Sequence, residues 1–405
     1  MKRPLDGVRV IDLTNMLMGP YASQILGDMG ADVIKLETPD GDPVRFVGQA
    51  RNRGMGALFM NCNRSKRSVA LDLKKPEAQA VALDLIAGAD VLLYNRRPQV
   101  MARLGLSHEA VRARNPRIIY AGTFGYGQRG PYARKPAFDD LIQGAVAVPS
   151  LSIHDREGEP QFAPTAIVDR GVAIWAVGQI CAALYHQAKT GEGQRIDIPM
   201  FEMMASFVLG DHLGGLTYRP AEGSAVYERL AAKDRRPYRT KDGYVCAMAY
   251  TDRHWRDFFA ALGRGEEFAR DPRYASMSAR SAHIGEIYAE LAELLLTRTT
   301  AEWLDFFDAA DIPATPLHSV ETLVGDPHLA AVGFFREEDH PSEGALRAMA
   351  FPSEWSATQP ESSRPAPRIG DLDEEVLRDL GYEPARIEAL RAGGALGAVK
   401  TKEAS

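Results

Sequence analysis

Cysteine is scarce. Cys62, Cys181 and Cys246 are the three in 405 residues, and none forms a CxxC pair. That excludes a disulfide framework and a cysteine zinc site and fits a reducing, cytoplasmic setting. The nine histidines are scattered without an HExxH pair, so no metal is expected. Positive charge is not in excess. The net charge of −6 argues against a nucleic-acid surface. No continuous apolar run near ~18 residues stands out, and the first residues, MKRPLDGVRVIDL, lack a signal-peptide core. No membrane segment is therefore expected. A GxGxxG after the first apolar run is also missing. Asn15-Met16-Leu17-Met18-Gly19-Pro20 stands there, which disfavours a dinucleotide enzyme.

What is present is an ordinary globular composition, 45% apolar and 25% charged, at a length that favours two domains. The first half alternates short apolar strands with amphipathic helices. Strands are predicted at 8–13, 31–36, 90–94, 117–123 and 194–198, and helices at 21–29, 77–87 and 108–114. That order implies an α/β fold with a parallel sheet, whose ligands bind at the carboxyl ends of the strands. Beyond Phe201 the region 210–236 reads as a linker or active-site loop. A strand at 244–249 and helices at 253–262, 284–296 and 300–309 suggest a second, smaller α+β domain. The segment 359–368 reads as extended, two helices follow it, and 400–405 reads as a disordered tail.

One stretch concentrates the chemistry. From Pro164 to Phe201 an acid, Asp169, opens a long apolar helix that stops at Thr190-Gly191 before a short strand. An acid there sits among free backbone N–H groups, which favours the ionised form and suits a nucleophile. It equally suits a plain helix cap. Basic residues cluster where strand ends should lie: Arg64-Ser65-Lys66-Arg67, Lys74-Lys75, Asn95-Arg96-Arg97 and Arg103. A polyanionic ligand needs such groups, although charge runs also simply solvate a surface.

The stretch Asp169, Ala173, Ala182-Ala183-Leu184 and Thr190-Gly191-Glu192-Gly193-Gln194-Arg195-Ile196-Asp197 resembles the class III CoA-transferase family. This group includes the formyl-CoA and carnitine CoA-transferases and, as a branch, the α-methylacyl-CoA racemases. LDGVRVIDLT, GADVIKLE, NRSKRSVALDLK, FGYGQRGP, DGYVCAMA, DPHLAAVGFF and the terminal IGDLDEEVLRDLGY extend the likeness along nearly the whole chain. The resemblance implies a Rossmann-like large domain from residues 1–200 and 330–405, a small domain at 225–325, linkers at 201–224 and 326–365, and an interlocked homodimer. It implies that Asp169 is the acyl-accepting nucleophile and coenzyme A a substrate. CoA contacts are carried over onto Asn15, Met16, Leu17 and Met18, chiefly by backbone. They are carried over also onto Leu71, Asp72, Leu73, Lys74, Asn95, Arg96, Arg97, Arg103 and Lys135, with Phe138 and Asp139 in the acyl pocket. The partners expected are an acyl-CoA and a carboxylic acid.

Three departures matter. Asn15 and Leu17 stand where the family often has His and Gln, Thr38 where it often has Arg, and the glycine-rich loop of formyl-CoA transferases has no match. These argue for an acyl group larger than formyl. Racemisation needs an acid/base on each face of the α-carbon, and the racemases' His-Asp step is Phe138-Asp139 here. Transfer is therefore favoured over racemase or lyase chemistry. A CoA-binding protein without chemistry is the third alternative. Phe138 is expected to pack in the core, and the loop 126–130 to offer oxyanion N–H groups.

Overall fold

The computed structural model describes residues 2–154 and 157–397, so the tail at 400–405 lies outside the described residues. The residues divide into two compact units, 1–146 with 164–205 and 328–405, and 147–163 with 206–327.

The first unit is built on six strands: β1 (Arg9–Leu13), β2 (Asp32–Glu37), β3 (Lys66–Ala70), β4 (Val91–Tyr94), β5 (Ile119–Phe124) and β6 (Gln194–Pro199). All neighbouring pairs are parallel, in the order β3-β2-β1-β4-β5-β6. In this doubly wound order the direction of winding reverses between β1 and β4, and a crevice opens there at the carboxyl ends. The sequence of β4, VLLY, is buried at every position, as a strand covered on both faces requires.

The helices of this part are α1 (Met18–Asp28), α2 (Ala57–Asn63), α3 (Pro76–Ala87), α4 (Pro98–Arg103), α5 (His108–Arg114), α6 (Asp139–Ala145) and α8 (Ile167–Thr190), with α7 (Val148–Ser152) in the second unit. Each crossover helix returns the chain to the starting edge of the sheet. The N-termini of α1 and α8 therefore lie at the carboxyl edge. Gly19 lets α1 leave β1 closely, because a Cβ there would sit 2.4 Å from the Thr14 side chain. α8 ends at Gly191, whose φ of +79° continues no helix and whose N–H bonds the Gln187 carbonyl.

One core joins Ile11, Ile34, Val69, Leu92 and Tyr120 of the sheet to α3, α5 and the C-terminal helices Asp373–Asp379 and Pro384–Ala392. A hairpin of β10 (Phe335–His340) and β11 (Gly344–Met349) occupies part of the stretch read as linker. Its charged FREEDH sequence hides the strand signal. In the second unit β7 (Tyr238–Arg239), β8 (Tyr244–Ala247) and β9 (Ala314–Pro316) form an antiparallel sheet. Trp255, Phe258, Tyr274, Trp303 and Phe307 pack beside it.

α8 corrects one expectation. By length and composition it could cross a bilayer, with a mean hydropathy of 1.5. Val172, Ala173, Ala176 and Ile180 are buried within the unit.

Candidate active site

The carboxyl edge of the sheet carries most of the expected site residues. After β1 the chain runs through Asn15, and after β4 through Asn95. The two loops clasp each other across the crevice: Asn15 N–H donates to Asn95 Oδ1 at 3.1 Å, and Asn95 Nδ2 donates to the Asn15 carbonyl at 2.8 Å. Met16 has a left-handed φ of +64°, and its N–H donates to Asp42 Oδ1 at 3.0 Å. Leu17 and Met18 are buried at the start of α1.

At the end of β3, Leu71 and Leu73 are core residues, while Asp72 caps the turn by accepting the Lys74 N–H at 3.2 Å. The Lys74 and Arg103 side chains are exposed. Arg97 is exposed and donates to the Arg134 carbonyl at 3.0 Å, which brings the β4 loop to the 126–135 loop. There Lys135 Nζ lies 3.8 Å from the centre of the Tyr132 ring. Arg96 is half-buried. Among the described residues its Nε has no hydrogen-bond partner, and burial lowers its pKa despite nearby Asp42.

The basic run Arg64–Arg67 is not available to a ligand. Lys66 is fully buried and bonds Asp12 Oδ2 at 3.1 Å, the Pro20 carbonyl at 2.8 Å and Asn63 Oδ1 at 2.7 Å. Arg64 pairs with Asp28 at 2.8 Å, and Arg67 with Asp32 at 2.6 Å and Asp379 at 2.8 Å. Lys75 likewise bonds the Gly393 carbonyl at 2.6 Å. Folding brings these side chains to acids and carbonyls that lie far from them in the sequence. The run also belongs to a larger buried network. Glu37 holds Arg45 through both oxygens at 2.7 and 2.5 Å, and Lys35 pairs with Asp42 at 2.9 Å.

Asp169 occupies the third position of α8. The cap position belongs to Ala166, which supplies no side-chain bond, so Asp169 is not the helix's N-cap. The capping group comes from another element. Asp139, the first residue of α6, accepts the Asp169 N–H on Oδ2 at 2.8 Å, and Gln143 Nε2 fixes its other oxygen at 2.6 Å. Among the described residues no hydrogen bond reaches the Asp169 carboxylate. Burial, followed by the charge of Asp139, pushes its pKa up to about 7, against the opposing effect of Arg170. The helix terminus therefore does not keep this acid in the ordinary carboxylate range. Near neutrality it is divided between the neutral and the ionised form.

Phe138 does not pack in the core. It is 63% exposed at the start of α6. The 126–130 loop offers fewer free donors than expected, since the Gly127 N–H is engaged by Glu202 Oε1 at 2.9 Å and the Gly130 N–H by the Gly127 carbonyl. Arg170, next to Asp169, was not singled out from the sequence. Its place immediately after the acid was the available signal.

Residues 5–372 match the family described as CoA-transferase family III. The chain is 33% identical over 388 residues to a succinate–glutarate CoA-transferase of Agrobacterium fabrum, covering 94% of this chain and 96% of that protein. It is 32% identical over 426 residues to a formyl-CoA:oxalate CoA-transferase of Rhodopseudomonas palustris, covering 98% of each. Among solved structures, Rv3272 of Mycobacterium tuberculosis superimposes with a TM-score of 0.80 at 29% identity, covering 92% of this chain and 98% of that one. A CAIB/BAIF family protein of Brucella suis gives a TM-score of 0.77 at 30% identity, covering 94% and 100%.

Proposed function

The chain belongs to CoA-transferase family III, and from that membership we propose that it moves CoA between an acyl-CoA and a free carboxylic acid on Asp169. The observation that carries this reading is the Asp169 carboxylate itself. It lies at the carboxyl edge of the sheet, half-buried, beside a second acid, and, among the described residues, without a hydrogen-bond donor to hold it. A carboxylate freed from strong hydrogen bonds is a better nucleophile than one that is tightly solvated.

In this mechanism an ionised Asp169 oxygen attacks the thioester carbonyl. The C–S bond breaks, CoA leaves as thiolate, and a mixed anhydride remains. The thiolate attacks the aspartyl carbonyl, releasing the donor's acid and leaving an aspartyl-CoA thioester. The acceptor's carboxylate attacks that thioester and expels the thiolate again. The thiolate then attacks the acceptor's carbonyl in the second anhydride. Acyl-CoA of the acceptor departs and Asp169 is regenerated as carboxylate. Each hard exchange is divided into two easier ones.

Arg97, Lys74 and Arg103 are the cations assigned to the phosphates of CoA, with Asn15–Met18, Leu71–Leu73, Asn95, Arg96 and Lys135 around its remaining length. The apolar side chains Leu17 and Phe138 suit an acyl group larger than formyl. The racemase alternative lacks its second acid/base at Phe138. An interlocked homodimer is part of the same proposal. It is supported by the apolar face that α8 leaves open, where Ile174, Trp175 and Tyr185 are 59%, 57% and 68% exposed. Incubation with succinyl-CoA followed by peptide mass analysis tests the central step. A CoA adduct on the peptide bearing Asp169 is expected, and its absence under turnover conditions sinks the reading.

A further inference from the structure

Three groups besides burial act on Asp169. Two are the carboxylates Asp139 and Asp140, and one is a cation, Arg170. An incoming acid arrives as an anion and meets this acidic corner, where like charges repel it. The corner therefore needs a fixed positive charge facing the substrate.

Arg170 has the required properties. Its guanidinium carbon lies over the Tyr21 ring, 4.2 Å from its centre, a cation–π contact that holds the group in place. Tyr21 sits in the first turn of α1, its N–H bonded to the Leu17 carbonyl at 2.9 Å. Both helix starts lie at the carboxyl edge of the same sheet. Among the described residues the guanidinium forms no hydrogen bond and no ion pair. Three buried or partly buried arginines of this unit are, by contrast, spent on acids: Arg45 on Glu37, Arg64 on Asp28 and Arg67 on Asp32. A guanidinium held in place with free N–H groups matches a carboxylate at two points. Leu17, on the same turn as Tyr21, offers no polar atom from its side chain for that task.

We infer that Arg170, held on Tyr21, binds the carboxylate of the free acid as it approaches Asp169. The inference rests on the aspartyl mechanism proposed above and adds to it the residue that receives the second substrate. The residue takes carboxylates as a class and leaves the acyl chain to its neighbours.

The test is steady-state kinetics with succinyl-CoA as donor and a panel of acids, read on the acid that the unaltered enzyme uses best. Arg170→Met should raise the KM for the acid roughly tenfold or more, with the KM for succinyl-CoA changed less than about twofold. Arg170→Lys, which keeps the charge but loses the two-point geometry, should fall between. Tyr21→Leu should raise the same KM through loss of the cation–π contact, and it reads the inference if Arg170→Met fails to fold. Unchanged acid KM in all three variants, or an equal rise in both KM values, overturns the role of Arg170. Adduct formation on Asp169 by succinyl-CoA is measured alongside. An adduct with unchanged acid KM removes only Arg170, whereas no adduct in the unaltered enzyme removes the aspartyl mechanism and this inference with it.

Discussion

Asp12 and Asp169 are acids of the same unit driven in opposite directions. Asp12 is fully buried at the centre of the sheet. Burial opposes its charge, but Lys66 and Lys35 and the hydroxyls of Ser23 and Thr14 outweigh it and hold the carboxyl well below the usual range. Its oxygens accept Ser23 Oγ at 2.6 Å, Lys66 Nζ at 3.1 Å and the Thr14 N–H at 2.9 Å. Asp169 is less buried, yet its pKa rises to about 7, because burial and Asp139 outweigh Arg170 and, among the described residues, no hydrogen-bond donor reaches the carboxylate. Depth alone does not make an acid reactive. The decisive difference is how many donors surround it. A saturated carboxylate is structural, whereas an unsaturated one is available to a substrate carbonyl.

The contrast can be broken at either end. Asp12→Ala leaves Lys66 buried without its acid, a change that typically costs about 3–5 kcal/mol. Urea denaturation should show a loss of that order, and a loss within about 0.5 kcal/mol would deny Asp12 its structural role. At the other end, Arg97→Ala, Lys74→Ala and Arg103→Ala should each raise the KM for acyl-CoA while kcat changes little, because phosphate contacts are alike in ground and transition states. Unchanged KM in all three would remove the assignment of these cations to CoA.

A subtler change sharpens the contrast. Asp139→Asn keeps an acceptor for the Asp169 N–H but removes the neighbouring charge. The acid limb of kcat/KM for acyl-CoA should lie near pH 7 in the unaltered enzyme, since in the proposed mechanism only ionised Asp169 attacks. It should move to lower pH in the variant, burial and the lesser charge of Asp140 then raising the pKa against Arg170. A limb that stays in place would show that Asp139 does not set the charge of Asp169.

The same raised pKa also bears on stability. A carboxyl whose folded pKa is about 7 against an unfolded value of 3.8 holds its proton more tightly when folded. Its contribution to stability is therefore lost as pH rises through that window. Asp169→Asn should melt above the unaltered protein at pH 8, and the gap should close toward pH 4. A gap independent of pH would contradict the raised pKa.

The local elements were largely legible in the sequence. The apolar runs around Val10, Ile34 and Leu92 announced strands, and the predicted helix at 108–114 matches α5. Such signals are local. Strand order is not, because it is set by which faces the crossover helices cover. The fate of Arg64–Arg67 was equally hidden. Their acidic partners Asp12, Asp28, Asp32 and Asp379 are distant in sequence and meet them only on folding. The same holds for Asp139, which caps the helix of Asp169 from thirty positions away. Phe138 was misplaced because an aromatic residue is more often core than surface. Arg170 was overlooked because its meaning depends on Tyr21 in another helix.

The most direct test traps the covalent state. The unaltered enzyme and Asp169→Asn are each incubated with succinyl-CoA, quenched in acid and digested, and the peptide spanning position 169 is weighed. The expected result is a CoA thioester on Asp169 that is absent from a folded Asp169→Asn enzyme, which also no longer exchanges CoA. An Asp169→Asn enzyme that still exchanges CoA at near the original rate, or an adduct on a different residue, would contradict the assignment of the chemistry to Asp169.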